Sequence, residues 1–327
     1  MDFTRLDAIL ATAAHHHAKP LLILGRTPSW LRSSPAAPPP MAAWKAYVRA
    51  VAKHYRAGLD YQVWPEPNII QNWTGSPAQL AKLTAAAAKI IHQEARKAVV
   101  VGPAMVMRMG YQRKFLDHFY AARVGGKRIG SYVDVVGIDG YPETHGTPED
   151  SFALIRQARS ILRRHKVKAP MWNLEINYGV IGGHDPVAAR WSNKKQASYV
   201  VRNDVLDAAA GIKRAYWLGW FPFKEGTIQL VKSDGTTPTG AAKALNVVRD
   251  WLIGQHVGSC GHKKHSSLWT CRLARGHHVS WVYWMTKGSA VVHVPHGARR
   301  FATATGAVKR IHHGRVKVTS SPIRVYS

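Results

Sequence analysis

Residues 61–96 read YQVWPEPNIIQNWTGSPAQLAKLTAAAAKIIHQEAR, and this stretch contains one strand, one loop and one helix. The apolar run Tyr61–Trp64 predicts a buried strand, and Ser76-Pro77 is a start signal for a helix over Ala78–Arg96. The rest of the first 254 residues repeats this order. Such a repeat predicts strand–helix units built around a parallel sheet.

Six units follow one another from Pro20. Their strands are predicted at Leu21–Gly25, Tyr61–Trp64, Val99–Gly102, Val133–Ile138, Met171–Leu174 and Ala215–Leu218. Their helices are predicted at Met41–Arg56, Ala78–Arg96, Tyr111–Arg123, Pro148–His165, Lys194–Ala210 and Gly240–Leu252, after a first helix at Phe3–His15. This alternation is typical of a (β/α) barrel or of a doubly wound sheet, and periodicity does not separate the two.

The sequence changes character after Gly254. Residues 255–327 read as short strands broken by Gly, Pro, Ser and His, among them Val279–Trp284, Ala290–Val294 and Arg315–Thr319. We therefore predict two domains, 1–254 and an all-β module over 255–327.

Charge is concentrated in this module. It contains 12 of the 46 Lys+Arg, 9 of the 18 His and no Asp or Glu, in a chain whose formal charge is +28. Such a surface predicts a polyanionic partner, for example an acidic glycan or a cell-wall polyanion. Because the chain has neither a recognition-helix motif nor an aromatic RNA-binding signature, nucleic acid is not an expected partner.

The two cysteines, Cys260 and Cys271, are flanked by strand-like sequence that a hairpin would bring together, so they predict one disulfide. A disulfide indicates an oxidising location, which we expect to be outside the cell or in the cell envelope. Residues 1–30 lack the features of a leader, so either a leader precedes Met1 or there is none. No apolar stretch approaches the roughly 18 residues that a membrane span requires.

Two carboxylates follow the ends of predicted strands in similar contexts. Glu66 lies in Tyr61–Asn68, and Glu175 lies in Pro170–Gly179. Because the carboxyl ends of parallel strands form one rim, the two side chains can face each other although they are far apart in the chain. Paired carboxylates that flank a bond are the groups that glycoside hydrolysis needs.

Four strand ends carry further motifs: Trp64-Pro-Glu-Pro-Asn68, Gly137-Ile-Asp-Gly-Tyr141, Trp172-Asn-Leu-Glu-Ile176 and Trp217-Leu-Gly-Trp220. With the β-module that follows, they resemble clan A glycoside hydrolases, particularly families 5 and 39. The resemblance implies an eight-stranded (β/α) barrel that hydrolyses O-glycosidic bonds with retention and without a cofactor. It assigns Glu66 as acid/base, Glu175 as nucleophile and Tyr141 as the residue that positions the nucleophile.

The chain departs from the family pattern at several positions. Pro65 replaces the asparagine that hydrogen-bonds the sugar 2-hydroxyl, and Asp139 replaces a histidine. Counting back from Glu66 on strand four makes Leu21–Gly25 strand three, so strands one and two, with an arginine that supports the nucleophile, are absent. We attribute this to a late start codon or a truncated gene. The expected fold is a (β/α)8 TIM-type barrel, incomplete at its N-terminus, followed by a small β-sandwich-like module.

The remaining predictions concern the substrate. Residues expected to contact the sugar are Trp30, Trp64, Asn68, Asp139, Trp217 and Trp220. Indole faces suit the C–H faces of a pyranose, although the same tryptophans could instead fill the core. The mechanism also requires a raised pKa for Glu66 and an ionised Glu175.

The histidines do not predict a metal site. The side chains of His15–His17 point around a helix axis, and the histidines of the basic module lack nearby acids or paired thiolates. The alternative function is a non-catalytic binding protein for acidic polysaccharide or another polyanion, in which the degenerate barrel is only a scaffold.

Overall fold

The computed structural model describes residues 2–222 and 228–327. They form two compact units, each discontinuous in sequence. The first comprises the chain up to Asp139 and Gln157–Leu174, and the second comprises Gly140–Arg156 and Glu175–Ser327. The predicted boundary between residues 254 and 255 falls inside the second unit and stays a prediction.

The helices follow the predicted positions closely. Within the described ranges they are α1 (Thr4–His15), α2 (Met41–Tyr55), α3 (Pro77–Glu94), α4 (Gly110–Ala121), α5 (Pro148–Arg164), α6 (Asn193–Ala209) and α7 (Gly240–Leu252). Short 3₁₀ turns cover Arg56–Gly58 and Ile129–Ser131. The start signal of α3 acts as expected, because Ser76 and Gln79 exchange side-chain and backbone hydrogen bonds in a capping box.

The strands of the strand–helix region are β1 (Leu21–Leu24), β2 (Asp60–Val63), β3 (Val100–Val101), β4 (Met105–Val106), β5 (Arg123–Val124), β6 (Lys127–Arg128), β7 (Val136–Asp139), β8 (Met171–Ile176) and β9 (Ile212–Trp217). The strands of the tail are β10 (His256–His262), β11 (Leu268–Arg275), β12 (His278–Met285), β13 (Ala290–His293), β14 (Arg300–Thr303), β15 (Val308–Arg310), β16 (Arg315–Val318) and β17 (Ile323–Tyr326). The sequence did not predict β4 or the small β5–β6 hairpin.

In the first unit, the strands outside the antiparallel β5–β6 hairpin pair in parallel with the next strand-forming segment of the chain. Strand β1 pairs with β2, and β2 pairs with β3. The chain that follows β3 pairs with the segment that contains β7. The Gly102 amide donates to the Val135 carbonyl, and β4 pairs with β7. A doubly wound sheet reverses its strand order, whereas this order does not reverse. The pairing is therefore that of a (β/α) barrel.

In the second unit, the tail forms two sheets, one of six strands in the order β10-β11-β12-β17-β14-β15 and one of two strands, β13 and β16. Trp251 of α7 belongs to the same buried core as Val282 on one face of the larger sheet. Tyr283 and Val325, on its other face, share a core with Val316 of the smaller sheet. The tail is thus sandwich-like, as expected.

The predicted disulfide is present. Cys260 and Cys271 lie opposite each other on β10 and β11, with their Cα atoms 4.1 Å apart. The antiparallel hairpin provides this spacing, because directly opposite residues of such a pair lie within disulfide reach.

A buried ion pair connects three parts of the second unit. The Arg202 Nε of α6 donates to the Glu149 Oε1 in the first turn of α5 at 2.9 Å, and the Arg202 Nη2 donates to the other carboxylate oxygen. The Trp284 indole N–H of β12 also donates to the Glu149 Oε1, at 2.6 Å. The Arg202 side chain is 4% exposed, so neither charge has access to much water.

We expect Arg202→Met to lower the free energy of unfolding by about 3–5 kcal/mol, because the Glu149 carboxylate then stays buried without its counter-charge. Chemical denaturation measures this loss. The control is Asp250→Asn, which breaks the exposed Arg249–Asp250 pair and should change stability by less than about 1 kcal/mol. Equal effects of the two variants would contradict the structural role of the buried pair.

Candidate active site

The first candidate carboxylate follows β2 in a strained turn. Trp64 and Glu66 have positive φ values, 61° and 39°, which are uncommon for residues other than glycine. A Cβ on Gly25, at the end of the neighbouring strand, would lie 2.8 Å from Cδ of Pro65. The turn therefore requires a glycine beside it. Backbone strain of this kind is concentrated at functional sites.

Hydrogen bonds orient the Glu66 carboxylate. The Asn72 Nδ2 donates to the Glu66 Oε2 at 3.2 Å, and the Arg26 Nη2 donates to the Asn72 Oδ1 at 3.1 Å. The Trp64 indole N–H fixes the same loop by donating to the Asn72 carbonyl at 2.8 Å. The Asn72 amide is thus held with its nitrogen towards Glu66.

Arg26 and Asn72 were not predicted from the sequence as site residues. Arg26 lies two residues beyond β1, at the same end of the parallel strands as Glu66, and this position was the available signal. Asn72 gave no such signal, because its contact with Glu66 depends on how the loop after β2 folds back.

Two predicted sugar contacts have other roles in the first unit. Trp64 is 0% exposed and packs against Trp44 and Trp73, with ring centroids 5.9 and 4.9 Å away. Asn68 is buried, and its Nδ2 donates to the carbonyls of Val106 and Gln112. The burial of both side chains argues against contact with a sugar. Through these contacts, Trp64 and Asn68 stabilise the loop that contains Glu66.

The second candidate carboxylate is Glu175, near the end of β8. The Tyr141 hydroxyl, two residues beyond β7, donates to the Glu175 Oε1 at 2.7 Å. Tyr141 is itself buried, so its hydroxyl is held in place by the surrounding chain. The structure thus brings together the residue predicted as nucleophile and the tyrosine predicted to position it.

Burial raises the pKa of Glu175, and the Tyr141 hydrogen bond opposes this rise only in part. The mechanism predicted from the sequence requires a raised pKa for Glu66 and an ionised Glu175. The shift at Glu175 acts against ionisation, because loss of hydration at the strand end outweighs a single hydrogen bond. The ionised state of Glu175 and the raised pKa of Glu66 stay predictions.

The other predicted sugar contacts differ in accessibility. Asp139 is buried at the end of β7, and Trp217 is half-buried with its indole N–H towards the Ile228 carbonyl. Trp30 and Trp220 are 81% and 58% exposed, so each offers an open aromatic surface. Sugar contact by these four residues stays a prediction.

The described residues contain neither a metal-ion cluster nor a helix that could cross a membrane. Across residues 2–222 and 228–327, no three His, Cys, Asp or Glu side chains are grouped closely enough to hold a metal ion. In the same ranges, no helix combines the length and apolar character that crossing a membrane requires.

The raised pKa of Glu175 gives a test that does not depend on activity. The folded state favours the protonated carboxyl, so wild-type stability is lost as the pH rises through the folded pKa. Glu175→Gln never carries this charge. We therefore expect the variant to melt above the wild type at pH 7, with a smaller difference at pH 4.

Thermal melting of both proteins at the two pH values measures the effect. Glu94→Gln, in a partly exposed ion pair with Arg49, is the matched control and should show no such gain at pH 7. If Glu175→Gln destabilised the protein equally at both pH values, burial of the charge would not be the dominant effect.

No protein-family profile and no curated protein sequence matches this chain. Solved structures do match it over nearly its whole length. A family 39 glycoside hydrolase from Bacteroides cellulosilyticus WH2 has a TM-score of 0.72 at 15% identity, covering 98% of this chain and 70% of the other. A monomeric β-xylosidase from Caulobacter crescentus CB15 has a TM-score of 0.66 at 15% identity, covering 99% and 84%.

A GH30 endoxylanase from Clostridium papyrosolvens C71 matches with a TM-score of 0.65 at 13% identity, covering 99% of this chain and 84% of the other. At such low identities the likeness establishes the fold. This chain shares its fold with these solved glycosidases, and in this chain a (β/α) barrel precedes an all-β module. Activity has to be argued from the site.

Proposed function

We propose that this chain is a retaining glycosidase that hydrolyses O-glycosidic bonds in a poly- or oligosaccharide. The observation that carries the proposal is the 2.7 Å hydrogen bond from Tyr141 to Glu175, beyond β7 and near the end of β8. It is the partnership that the sequence resemblance implies for a nucleophile and its positioning tyrosine. The fold shared with solved glycosidases supports the same function.

In the first step of the proposed mechanism, a carboxylate oxygen of Glu175 attacks the anomeric carbon. The bond to the leaving oxygen breaks, and Glu66 gives its proton to that oxygen. In the second step Glu66 takes a proton from water, and the water oxygen attacks the anomeric carbon and releases Glu175. The mechanism needs no metal ion or cofactor. A retaining enzyme also needs a separation of about 5–5.5 Å between the two carboxyl groups.

The hydrogen-bond donors on each carboxyl group fit these roles. Tyr141 occupies one oxygen of Glu175 and leaves the other to attack. Asn72 donates to Glu66, whose preceding residue, Pro65, has no side-chain amide. Asn72, six residues after Glu66, therefore orients the proposed acid/base.

We also propose that the protein acts outside the cell or in the cell envelope, which the Cys260–Cys271 disulfide supports. The basic tail would then hold the enzyme on an acidic glycan of the cell wall or of the substrate. Its 12 Lys+Arg without any Asp or Glu support this partner.

The alternative function is a non-catalytic binding protein for polyanions. One observation favours it specifically: Arg300 and Arg310 lie directly opposite each other on β14 and β15, and both are exposed. Like charges in such a pair destabilise a sheet, and a bound polyanion would relieve the repulsion.

Substitution of the two carboxylates separates these functions. We expect Glu175→Gln to abolish turnover of all glycosides, because no other group can form the covalent intermediate. Glu66→Gln should impair substrates with poor leaving groups much more than activated aryl glycosides, which need little proton assistance. Initial rates on a panel of aryl glycosides and oligosaccharides, xylosides included, measure both effects.

Glu94→Gln serves again as the control and should retain wild-type rates. All variants are assayed in the same chain, residues 1–327. Equal, slow release of sugar by the wild type and Glu175→Gln, with intact binding of an acidic polymer, would favour the binding protein over the enzyme.

Tyr141 gives a test of the pH dependence. Its hydrogen bond lowers the pKa of Glu175, so Tyr141→Phe should raise that pKa further. Because the nucleophile must be ionised, the acid limb of kcat/KM should move to higher pH. A pH–rate profile measures the shift. If Tyr141→Phe lost activity equally at every pH, Tyr141 would not act by changing the pKa of Glu175.

A further inference from the structure

A cavity of about 450 Å³ lies in the second unit, between α7 and the larger sheet of the tail. Val247 and Trp251 line it from the helix, and Ser280, Ala302 and Arg324 line it from the sheet. Ala302 lies directly opposite Arg324 on the neighbouring strand, so a small side chain leaves room beside the guanidinium. The volume is in the range of small-molecule sites, about 300–1,000 Å³.

Arg324 is an unusual residue for this position. It lies on β17, an interior strand of the sheet, and its direct cross-strand neighbours are Val282 and Ala302. Its Nε donates to the Ser280 Oγ at 3.0 Å, and its Cζ lies 5.9 Å from the Tyr326 ring centroid. The guanidinium group is therefore held in one orientation.

The charge of Arg324 has no protein counter-ion in the described part of the chain. Residues 255–327 contain no acidic side chain, and Arg324 forms no ion pair with an acid of residues 2–222 or 228–254. Asp250 lines the same cavity, but its side chain is 69% exposed and its Oδ1 lies 3.6 Å from the Arg249 Nη2. Burial lowers the pKa of Arg324, consistent with a cation that is poorly solvated.

We propose that this cavity is a second binding site, separate from the candidate catalytic residues, for a sugar acid whose carboxylate pairs with Arg324. A guanidinium group with its terminal nitrogens available binds a carboxylate through two parallel hydrogen bonds. The Tyr326 ring offers an apolar surface to the sugar ring. The choice of a sugar over other carboxylates rests on the proposed glycosidase function.

Isothermal titration calorimetry with glucuronate, glucose and inorganic sulfate tests the proposal, because glucuronate and glucose differ only in the carboxylate. We expect glucuronate to bind and glucose not to bind. Arg324→Gln should weaken glucuronate binding by about tenfold or more, since a hydrogen-bonded charge is lost. Arg324→Lys should fall between the two, because it keeps the charge without the paired donors.

Two further variants complete the test. Arg272→Gln removes an exposed arginine from β11 of the same sheet and should leave the affinity unchanged. Asp250→Asn removes a negative charge from the cavity wall and should tighten binding by about twofold to fivefold at low salt. Because Asp250 is exposed, this variant should fold even if Arg324→Gln does not.

Unchanged affinity for glucuronate in Arg324→Gln would overturn the proposal. If Arg324→Gln does not fold, unchanged affinity in Asp250→Asn would overturn it instead. Sulfate binding as tight as glucuronate binding would overturn the sugar-acid assignment in favour of a general oxyanion site. Hydrolysis of neutral aryl glycosides should be the same in Arg324→Gln as in the wild type. A chain that binds glucuronate through Arg324 and hydrolyses nothing would refute the proposed catalysis alone.

Discussion

The buried ion pair between Glu149 and Arg202 is the contact on which the second unit depends. It joins the first turn of α5 to α6, and the Trp284 indole adds a strand of the tail. Two opposite charges can remain inside a protein only when hydrogen bonds satisfy them well. Here both carboxylate oxygens of Glu149 accept hydrogen bonds, so the helix is fixed where it begins.

A short chain of contacts connects the start of α5 to the candidate site. Ser151, two residues beyond Glu149, donates its hydroxyl to the Gly140 carbonyl at 2.6 Å. Gly140 precedes Tyr141, which donates to Glu175. The structural ion pair is thus connected, through Ser151 and Gly140, to the hydroxyl group that donates to the proposed nucleophile. The functional group depends on a supporting shell that does no chemistry itself.

Each candidate carboxylate has its own supporting contacts within its own unit. Glu66 depends on Asn72, and through it on Arg26, in the first unit. Glu175 depends on Tyr141 and on burial in the second unit. Carboxyl groups in different environments can have different pKa values, which a mechanism with an acid and a nucleophile requires.

The tail combines a strongly positive charge with a well-formed core. Unpaired positive charge destabilises a compact state through self-repulsion, and residues 255–327 have no acid to offset it. The disulfide and two apolar cores stabilise the tail against that repulsion. Most of its cations lie at exposed positions, whereas Arg324 lines a cavity, so a single charged segment presents positive charge both on its surface and inside a pocket.

The sequence by itself determined the strand–helix alternation, the helix bounds to within about two residues, the cysteine pair and the positions of Glu66 and Glu175 beyond β2 and near the end of β8. These features depend on local periodicity, capping and the rule that parallel strands end at one edge. Only the tertiary structure decided that Trp64 is buried, that Arg26 reaches Asn72 and that Glu175 loses hydration. Each of these depends on contacts between residues distant in the chain, and neither residue type nor spacing specifies which side chains pack together.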